Sequence, residues 1–338
     1  MNVNKVYISI IIPCRNEEKF IAKCLDSTIS NDYPKENLEI LVIDGMSEDR
    51  TRQIVDEYVK QYSFIKLLDN PKMIAPSALN IGIENAKGEV IVVMCAHATY
   101  EKDYISKCVE YMKKYEVDNV GGKMMTISEN DGLVSKAIVL VLSYRFGVGD
   151  SYFRIGIKEP KFVDTVPFGC YKKEVFEKIG LFNENLVRNQ DIEFNLRLKK
   201  AGGKILLVPD IVSYYYARSN LKSLFMQNFG NGLWVIYSNR FAKAPFSRRH
   251  LIPFIFVLSL LGSLFLSVFW KPFLYLFLII ILTYLTANVF FSLSISIKNG
   301  IKLFPFIVIS FFVLHFSYGL GSLYGLMKLI APYSKIRI

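Results

Sequence analysis

The chain has 338 residues, 21% of them charged, with a net charge of +11, room for one large domain and a smaller second part. Its cysteines, Cys14, Cys24, Cys95, Cys108 and Cys170, are odd in number and form no CxxC pair, which argues against a disulfide framework or a zinc site and fits reduced thiols. Lys and Arg are scattered and no nucleic-acid module is legible, so the basic charge is expected to meet a membrane surface or a phosphorylated substrate, with no nucleic-acid partner.

The first apolar run, Ile8 to Ile12, has no small-residue cleavage site behind a basic flank, so no secretory signal is expected. It reads as a strand and leads into Pro13-Cys14-Arg15-Asn16-Glu17-Glu18. Glu18 to Ile29 then has helical spacing, with Phe20, Ile21, Leu25 and Ile29 on one stripe. A second strand, Ile40 to Ile43, ends in Asp44-Gly45-Met46-Ser47-Glu48-Asp49. Thr51 to Gln61 predicts a helix with Ile54, Val55, Tyr58 and Val59 inward. Pro76 to Ala86 predicts another, with Gly88 suited to its C-cap. The third strand, Val90 to Met94, runs into Cys95-Ala96-His97. This β-α-β-α-β order predicts a parallel sheet buried on both faces, with the ligand crevice beyond the carboxyl ends of the strands.

From about Val120 to Pro209 the pattern loosens. Leu133 to Leu142 is apolar but too short to span a bilayer, and suits a helix on the domain core or on a membrane surface equally well. Phe168-Gly169-Cys170 is a turn before a Lys-rich helix ending at Gly180. Gln190-Asp191-Ile192-Glu193 opens a further helix, Ile205 to Val208 a last strand, and Leu221 to Phe241 is aromatic and amphipathic.

Twenty residues of this composition should carry roughly four charges. Leu251 to Trp270 and Phe273 to Ile297 carry none, and Leu303 to Met327 has only His315. Each is long enough to cross a membrane as a helix. Arg240, Lys243, Arg248 and Arg249 before the first span, with Lys298 and Lys302 between the second and third, predict a cytoplasmic N-terminal domain; Lys271 lies in the opposite loop. Lys328, Lys335 and Arg337 would then fall outside, unless one segment is re-entrant. His315 either lines a lipid path or faces neighbouring helices.

Several side chains at these strand and helix ends could carry chemistry. Asp44, an acceptor-only carboxylate, could take a ribose hydroxyl or a uracil N–H; it could also cap the helix near Thr51, although Asp49 is the better cap. Asn16 and Glu17 invite the same reading, or that of a turn. No GxGxxG or GxxxxGK[ST] loop follows a strand, so a nucleotide would be held by side chains and, at its diphosphate, by a metal. A neutral imidazole at His97 suits Mn²⁺ better than Mg²⁺, although a lone histidine at a strand end is often structural. Asp191 could cap its helix, or accept a proton from an attacking hydroxyl.

Taken together, these clusters resemble the family-2 glycosyltransferases, inverting enzymes of the GT-A fold. The likeness is closest to the membrane-bound branch that builds exopolysaccharide on a lipid carrier, the succinoglycan glucosyltransferases of the ExoA kind. It covers residues 5 to about 240 and extends into the hydrophobic spans. It implies an α/β nucleotide-diphospho-sugar transferase domain with a Rossmann-like mixed sheet over residues 1–248, cytoplasmic, followed by three transmembrane helices of the cell membrane over 249–330. Residues 5–125 would bind the nucleotide sugar, and 126–248 would form the acceptor half and the membrane-proximal segment.

Within that resemblance Pro13, Cys14, Arg15, Asn16 and Glu17 look like the first nucleotide loop. Asp44 to Thr51 matches the second, which implies that Asp44 contacts the nucleoside. Ala78-Leu79-Asn80-x-Gly82 corresponds to the helix that closes over the base. The branch commonly has Asp-Ala-His where this chain has Cys95, Ala96 and His97. His97 is therefore implied as a ligand of a divalent cation, Mn²⁺ or Mg²⁺, while the neutral thiol of Cys95 cannot supply the missing negative charge. Phe168, Gly169 and Cys170 match the acceptor-side turn. Gln190, Asp191 and Glu193 match the Glu-Asp motif with Gln for Glu, aligning Asp191 with the catalytic base. Gln227 to Trp234 resembles a degenerate Gln-x-x-Arg-Trp motif without its Arg, which argues against processive polymerisation.

The activity so implied is transfer of a single sugar from a nucleotide sugar, a UDP-sugar, to a polyprenyl-diphosphate-linked saccharide, alongside other polysaccharide-assembly proteins. Two alternatives stay open. One is a polyprenyl-phosphate sugar transferase of the dolichol-phosphate-mannose kind. The other is a catalytically impaired membrane partner of a polysaccharide assembly, the reading that Cys95 favours.

Overall fold

The computed structural model describes residues 6–242 and 248–330; Lys243, Lys335 and Arg337 of the flanking charges lie outside the described residues. In chain order the elements begin β1 (Ile8–Cys14), α1 (Ile21–Ile29), β2 (Leu38–Asp44), α2 (Thr51–Gln61), β3 (Ile65–Asp69), α3 (Ala75–Asn85), β4 (Val90–Val93) and β5 (Ala98–Tyr100). They continue with α4 (Tyr104–Lys114), β6 (Asn119–Ile127), α5 (Leu133–Ser143), α6 (Arg145–Val148), α7 (Tyr152–Ile155), β7 (Lys161–Phe162), β8 (Cys170–Lys172), α8 (Glu174–Ile179) and α9 (Gln190–Lys200). Last come β9 (Ile205–Tyr216), α10 (Leu221–Tyr237), α11 (Arg248–Leu266), α12 (Pro272–Asn299) and α13 (Phe304–Ile330). The chain divides into two compact units, Met1–Met125 with Gly156–Tyr216, and Thr126–Ile155 with Ala217–Ile338.

The first unit is built on a mixed sheet of order β3-β2-β1-β4-β8-β6-β9-β5, with β7 on β9. Ile10 of β1 stands between Ile40 of β2 and Val92 of β4, all three strands parallel. Their Ile and Val runs are buried almost throughout, as a strand covered on both faces requires. Beyond β4 the direction reverses: β8 pairs antiparallel with β4, Val92 opposite Cys170, and β5 pairs antiparallel with β9. The parallel sheet expected from the first hundred residues is therefore one part of the mixed sheet that the family resemblance implied.

Two local expectations change. β3, an edge strand parallel to β2, lies between the second and third predicted helices where no strand is expected, because its half-exposed Lys66, Leu67 and Leu68 show no clear alternation. Gly88 caps no helix: α3 ends at Asn85 with Ala86 as its cap residue. A Cβ on Gly88 would lie 2.4 Å from the Ser9 nitrogen, so glycine is needed where the chain runs close against β1 before entering β4.

In the second unit, α13 is the central helix. α10 approaches it so closely that a Cβ on Gly232 would sit 2.0 Å from the Tyr318 carbonyl oxygen. α5 buries Ala137, Ile138, Val141 and Leu142 against Ile295, Ile307, Phe311 and Leu314. The Leu133 segment thus packs on the apolar helices. Three stretches, Arg249–Leu266, Pro272–Asn299 and Ile301–Ile330, are long and apolar enough to cross a membrane. They leave large side chains such as Ile252, Phe265, Ile279 and Phe290 more than half exposed, a surface suited to lipid. His315 faces its neighbours: Nε2 donates to the Phe146 carbonyl at 2.9 Å and Nδ1 accepts from the Tyr284 hydroxyl at 3.2 Å. Residues 126–155 and 217–242 belong to this unit, whereas the sequence placed the boundary at 248.

Candidate active site

The loops after β1 and β2 hold each other at the carboxyl edge of the sheet. Gly45 N–H donates to the Cys14 carbonyl at 2.8 Å, Asn16 N–H to Ser47 Oγ at 2.9 Å, and Glu48 N–H to Asn16 Oδ1 at 2.9 Å. Glu17 N–H donates to Thr51 Oγ1 at 2.7 Å. Asn16 takes a left-handed backbone, φ 54°, which asparagine tolerates better than most residues. Arg15 is exposed and stands 3.8 Å from Glu48, and Pro13 is half-buried at the end of β1. Asp49 accepts from Thr51 N–H at 2.9 Å one residue before the N-cap, which is Arg50, so it steadies the start of α2 without being the cap residue expected from the sequence.

Asp44 is wholly buried. Oδ2 accepts from Ser47 N–H at 3.0 Å and from Arg52 Nη1 at 3.4 Å, while Oδ1 accepts from Ser47 Oγ. Arg52 also grips Asp69 at 2.6 Å, tying the ends of β2 and β3 together. Burial and the neighbouring Asp44 and Glu17 carboxylates push the Cys14 thiol well above its ordinary pKa, so it stays protonated.

The loop after β4 is pinned just as firmly. Cys95 N–H donates to Tyr100 Oη at 2.7 Å, and the Cys95 carbonyl accepts from Ala98 N–H at 3.1 Å. Ala96 is buried in the core. His97 Nδ1 meets Glu17 Oε1 at 2.9 Å, so the first and third predicted clusters touch. Burial opposes a charged imidazole here, but Cys95 and Glu17 outweigh it and raise the His97 pKa well above the usual value. With Nδ1 held by Glu17, Nε2 could bind a metal only after the ring proton that the raised pKa favours has been displaced. Among the described residues no group of three or more His, Cys, Asp and Glu could hold a metal. One imidazole is by itself a poor site for a divalent cation, so a cation there would need oxygen ligands from outside the chain.

On the opposite side of β4, Phe168 stands in a left-handed conformation, φ 48°, and Gly169 accepts from Val93 N–H at 3.0 Å. The Phe168 ring packs on Tyr100, the residue that holds Cys95. The acceptor-side turn thus adjoins the His97 loop. Cys170 is a core residue between Val92 and Val120, with its side chain out of reach of any acceptor.

Asp191 is exposed in the first turn of α9, whose N-cap residue is the left-handed Asn189. Burial and then the Asp191 charge raise the pKa of Tyr171 on β8, which places the carboxylate near that strand. Gln190 opens the helix half-buried. Glu193 is buried and bonded to Arg197 Nε at 2.7 Å; Arg197 also donates to the Leu181 carbonyl at 2.7 Å, so this pair fixes the loop leading into α9. Asn80 reaches the same loop: Nδ2 donates to the Phe182 carbonyl at 2.9 Å and Oδ1 accepts from Phe182 N–H at 2.9 Å. Its amide joins α3 to the Asp191 loop. Gln227 is half-buried and Trp234 buried on α10, in the second unit.

One residue that the sequence does not single out is Asn70. It follows β3, donates its N–H to the Asp44 carbonyl at 2.8 Å, and donates Nδ2 to the Ile74 carbonyl at 2.9 Å. Its Oδ1 is buried without a hydrogen-bond partner. The unforeseen strand hides it, although the Asn70-Pro71 pair is itself a turn signal.

This fold and its strand-end loops define a glycosyltransferase, and the chain belongs to glycosyl transferase family 2, whose model matches residues 9–180. The dolichyl N-acetyl-α-D-glucosaminyl phosphate 3-β-D-2,3-diacetamido-2,3-dideoxy-β-D-glucuronosyltransferase of Methanococcus voltae is 34% identical over 95% of this chain and 98% of its own length. The succinoglycan biosynthesis protein ExoA of Rhizobium meliloti is 30% identical over 66% of this chain and 67% of its own. The mannosyltransferase PcManGT of Pyrobaculum calidifontis, solved with GDP-Man and Mn²⁺, shares the fold with a TM-score of 0.58 at 16% identity, covering 95% of this chain and 88% of its own.

Proposed function

We propose that the chain transfers a single sugar, with inversion, from a UDP-sugar to a lipid-linked saccharide at the cytoplasmic face of the cell membrane. The carrying observation is the joining of donor-side loops at one sheet edge, Asn16 to Ser47 and Glu17 to His97, beside the Phe168–Gly169 turn. The Methanococcus relative, whose name specifies a dolichyl N-acetylglucosaminyl phosphate as acceptor, supports the acceptor class along nearly the whole chain.

In this reading Pro13, Arg15, Asn16, Asp44 and Asn70 shape the nucleotide pocket. Cys95 and Ala96 form its floor, and Asn80 holds the pocket to the Asp191 loop. Asp191 takes the proton of the acceptor hydroxyl while that oxygen attacks the anomeric carbon from the face opposite the diphosphate. The new carbon–oxygen bond forms as the bond to diphosphate breaks, and the configuration inverts. A divalent cation, when bound, would offset charge on the departing diphosphate. His97, held by Glu17, would be its protein ligand; the Mn²⁺ in the mannosyltransferase structure supports that class of cofactor. Gly169, Gln190 and Glu193 shape the acceptor side, and other polysaccharide-assembly proteins would follow this step.

The test is transfer from labelled UDP-sugars to lipid-linked acceptors, with wild type compared to Asp191→Asn. Asp191→Asn should lose on the order of 10²–10⁴ in rate while binding UDP as the wild type does. Full activity in that variant would remove Asp191 from the mechanism. If free polyprenyl phosphate is glycosylated in preference to a lipid-linked saccharide, the dolichol-phosphate-mannose type replaces this reading.

A further inference from the structure

In the second unit two arginines from distant parts of the chain converge on one exposed turn. α6 ends at Gly149, whose positive φ of 59° turns the chain so that Asp150 stands back over Arg145. Arg145 donates through both Nε, at 2.9 Å, and Nη2 to the same oxygen, Asp150 Oδ1. Arg249, the first residue of the first apolar stretch, donates Nη1 to the Asp150 carbonyl at 3.4 Å. Its Cβ lies 3.0 Å from where a side chain on Gly149 would begin, so glycine there also lets Arg249 pack on the turn. The turn is anchored from below: the Phe146 carbonyl accepts from His315 Nε2, and the Phe146 ring stacks on Phe291 at 4.6 Å.

We propose that this Arg145–Arg249 fork is a phosphate site for the lipid-linked acceptor, with Asp150 as an exchangeable internal anion. The inference rests on the reading that the acceptor is lipid-linked. Arg145 and Asp150 are 67% and 58% exposed, and an exposed ion pair of this kind is held weakly. A phosphate offers more charge and more acceptor oxygens than a carboxylate, and guanidinium groups match its geometry through paired N–H bonds. The position fits the ligand: Arg249 begins an apolar helix, so a phosphate held there would lie at the membrane border, where the carrier's isoprenoid tail enters lipid.

The test uses the full chain in nanodiscs of phosphatidylcholine, with geranylgeranyl diphosphate as probe and UDP binding measured in parallel. Arg145→Gln and Arg249→Gln should each weaken probe binding about tenfold, the effect of losing a charged hydrogen bond. Asp150→Asn should tighten it severalfold by removing the internal competitor. Arg145→Lys, which keeps the charge without the fork, should recover only part of the affinity. UDP affinity and melting temperature should stay at wild-type values throughout. Probe binding that ignores both arginines, or that weakens in Asp150→Asn, would overturn the site. So would displacement of the probe by inorganic pyrophosphate as readily as by unlabelled probe, or by phosphatidylglycerol nanodiscs at equal phosphate concentration, since the occupant would then be free phosphate or bulk lipid. Failure of the fork with UDP binding intact counts against this site alone. Loss of UDP binding in the wild type, with the fork still binding, counts against the donor reading and leaves the site standing.

Discussion

A carboxylate that is buried and bonded on both oxygens has little left for a ligand, and Asp44 is in that condition. Its hydrogen bonds go to Ser47 and Arg52, so its first effect is to shape the loop that meets the donor. The nearby acceptor without a partner is Asn70 Oδ1, and Nδ2 bonded to the Ile74 carbonyl fixes which way the amide points. Asn70→Ala should weaken UDP binding about five- to tenfold, the worth of one hydrogen bond in a buried setting. Titration calorimetry would read this directly, and an unchanged affinity would return the task to Asp44. Glu17 shows the same shift of role. The sequence offered it to the nucleotide, and the structure gives its carboxylate to His97. In the proposed mechanism that negative charge would raise the basicity of a metal-bound imidazole.

Among the elements, β2 carries the most consequential polar residue outside the site. Glu39 is 2% exposed in a strand whose other residues before Asp44 are Leu, Ile and Val. Burial disfavours its ionised form, but bonds from Lys87 N–H at 2.7 Å, Lys66 Nζ at 2.9 Å and Ser9 Oγ at 2.8 Å outweigh it and hold the pKa below the usual value. The sign follows from linkage. A depressed carboxylate stabilises the fold fully above its unfolded pKa of about 4.3, and that stabilisation is lost as pH falls through the folded value. Glu39→Ala should cost about 3 kcal/mol at pH 7, because the buried Ser9 hydroxyl loses its acceptor and Lys66 and the Lys87 N–H lose a charged partner. The gap between the two proteins in denaturation curves should hold from pH 7 down to about pH 5 and narrow only as pH falls through the depressed folded value; a gap that does not narrow there would show that the charge is not what matters.

For the whole molecule, the asymmetric charges around the apolar helices predict the orientation of the proposed crossing. Lys298 at the end of α12 and Lys302 before α13 share one side with Arg249, and Lys271 lies at the other. Lys271→Cys should therefore react with a membrane-impermeant thiol reagent in intact cells, and Lys298→Cys only after permeabilisation. Equal labelling of both would mean that one stretch does not cross. The native cysteines Cys14, Cys24, Cys108 and Cys170 are buried and leave the background to Cys95.

Much of this protein is legible in its sequence. Parallel strands buried on both faces write themselves as short Ile and Val runs, and the polar clusters at their ends mark the sheet edge where Glu17 and His97 meet. Charge-free stretches mark the apolar helices for the same reason: a period or a composition sustained over many residues survives any tertiary context. What depends on single contacts is not legible. β3 has no periodicity because it lies at an edge; Gly88 reads as a cap until the Ser9 backbone is seen beside it. Asn80, Glu193 and Cys170 match motif positions, yet one amide joins a helix to a loop, one carboxylate holds an arginine, and one thiol is core. Residues 126–155 pack on the apolar helices because burying Ala137, Ile138 and Val141 against Phe311 removes apolar surface from water, a partnership between segments far apart in the chain. Side-chain type and spacing determined the class of protein and where its chemistry lies. Which of those side chains remain available to a ligand was decided by long-range hydrogen bonds, and only the tertiary structure contains them.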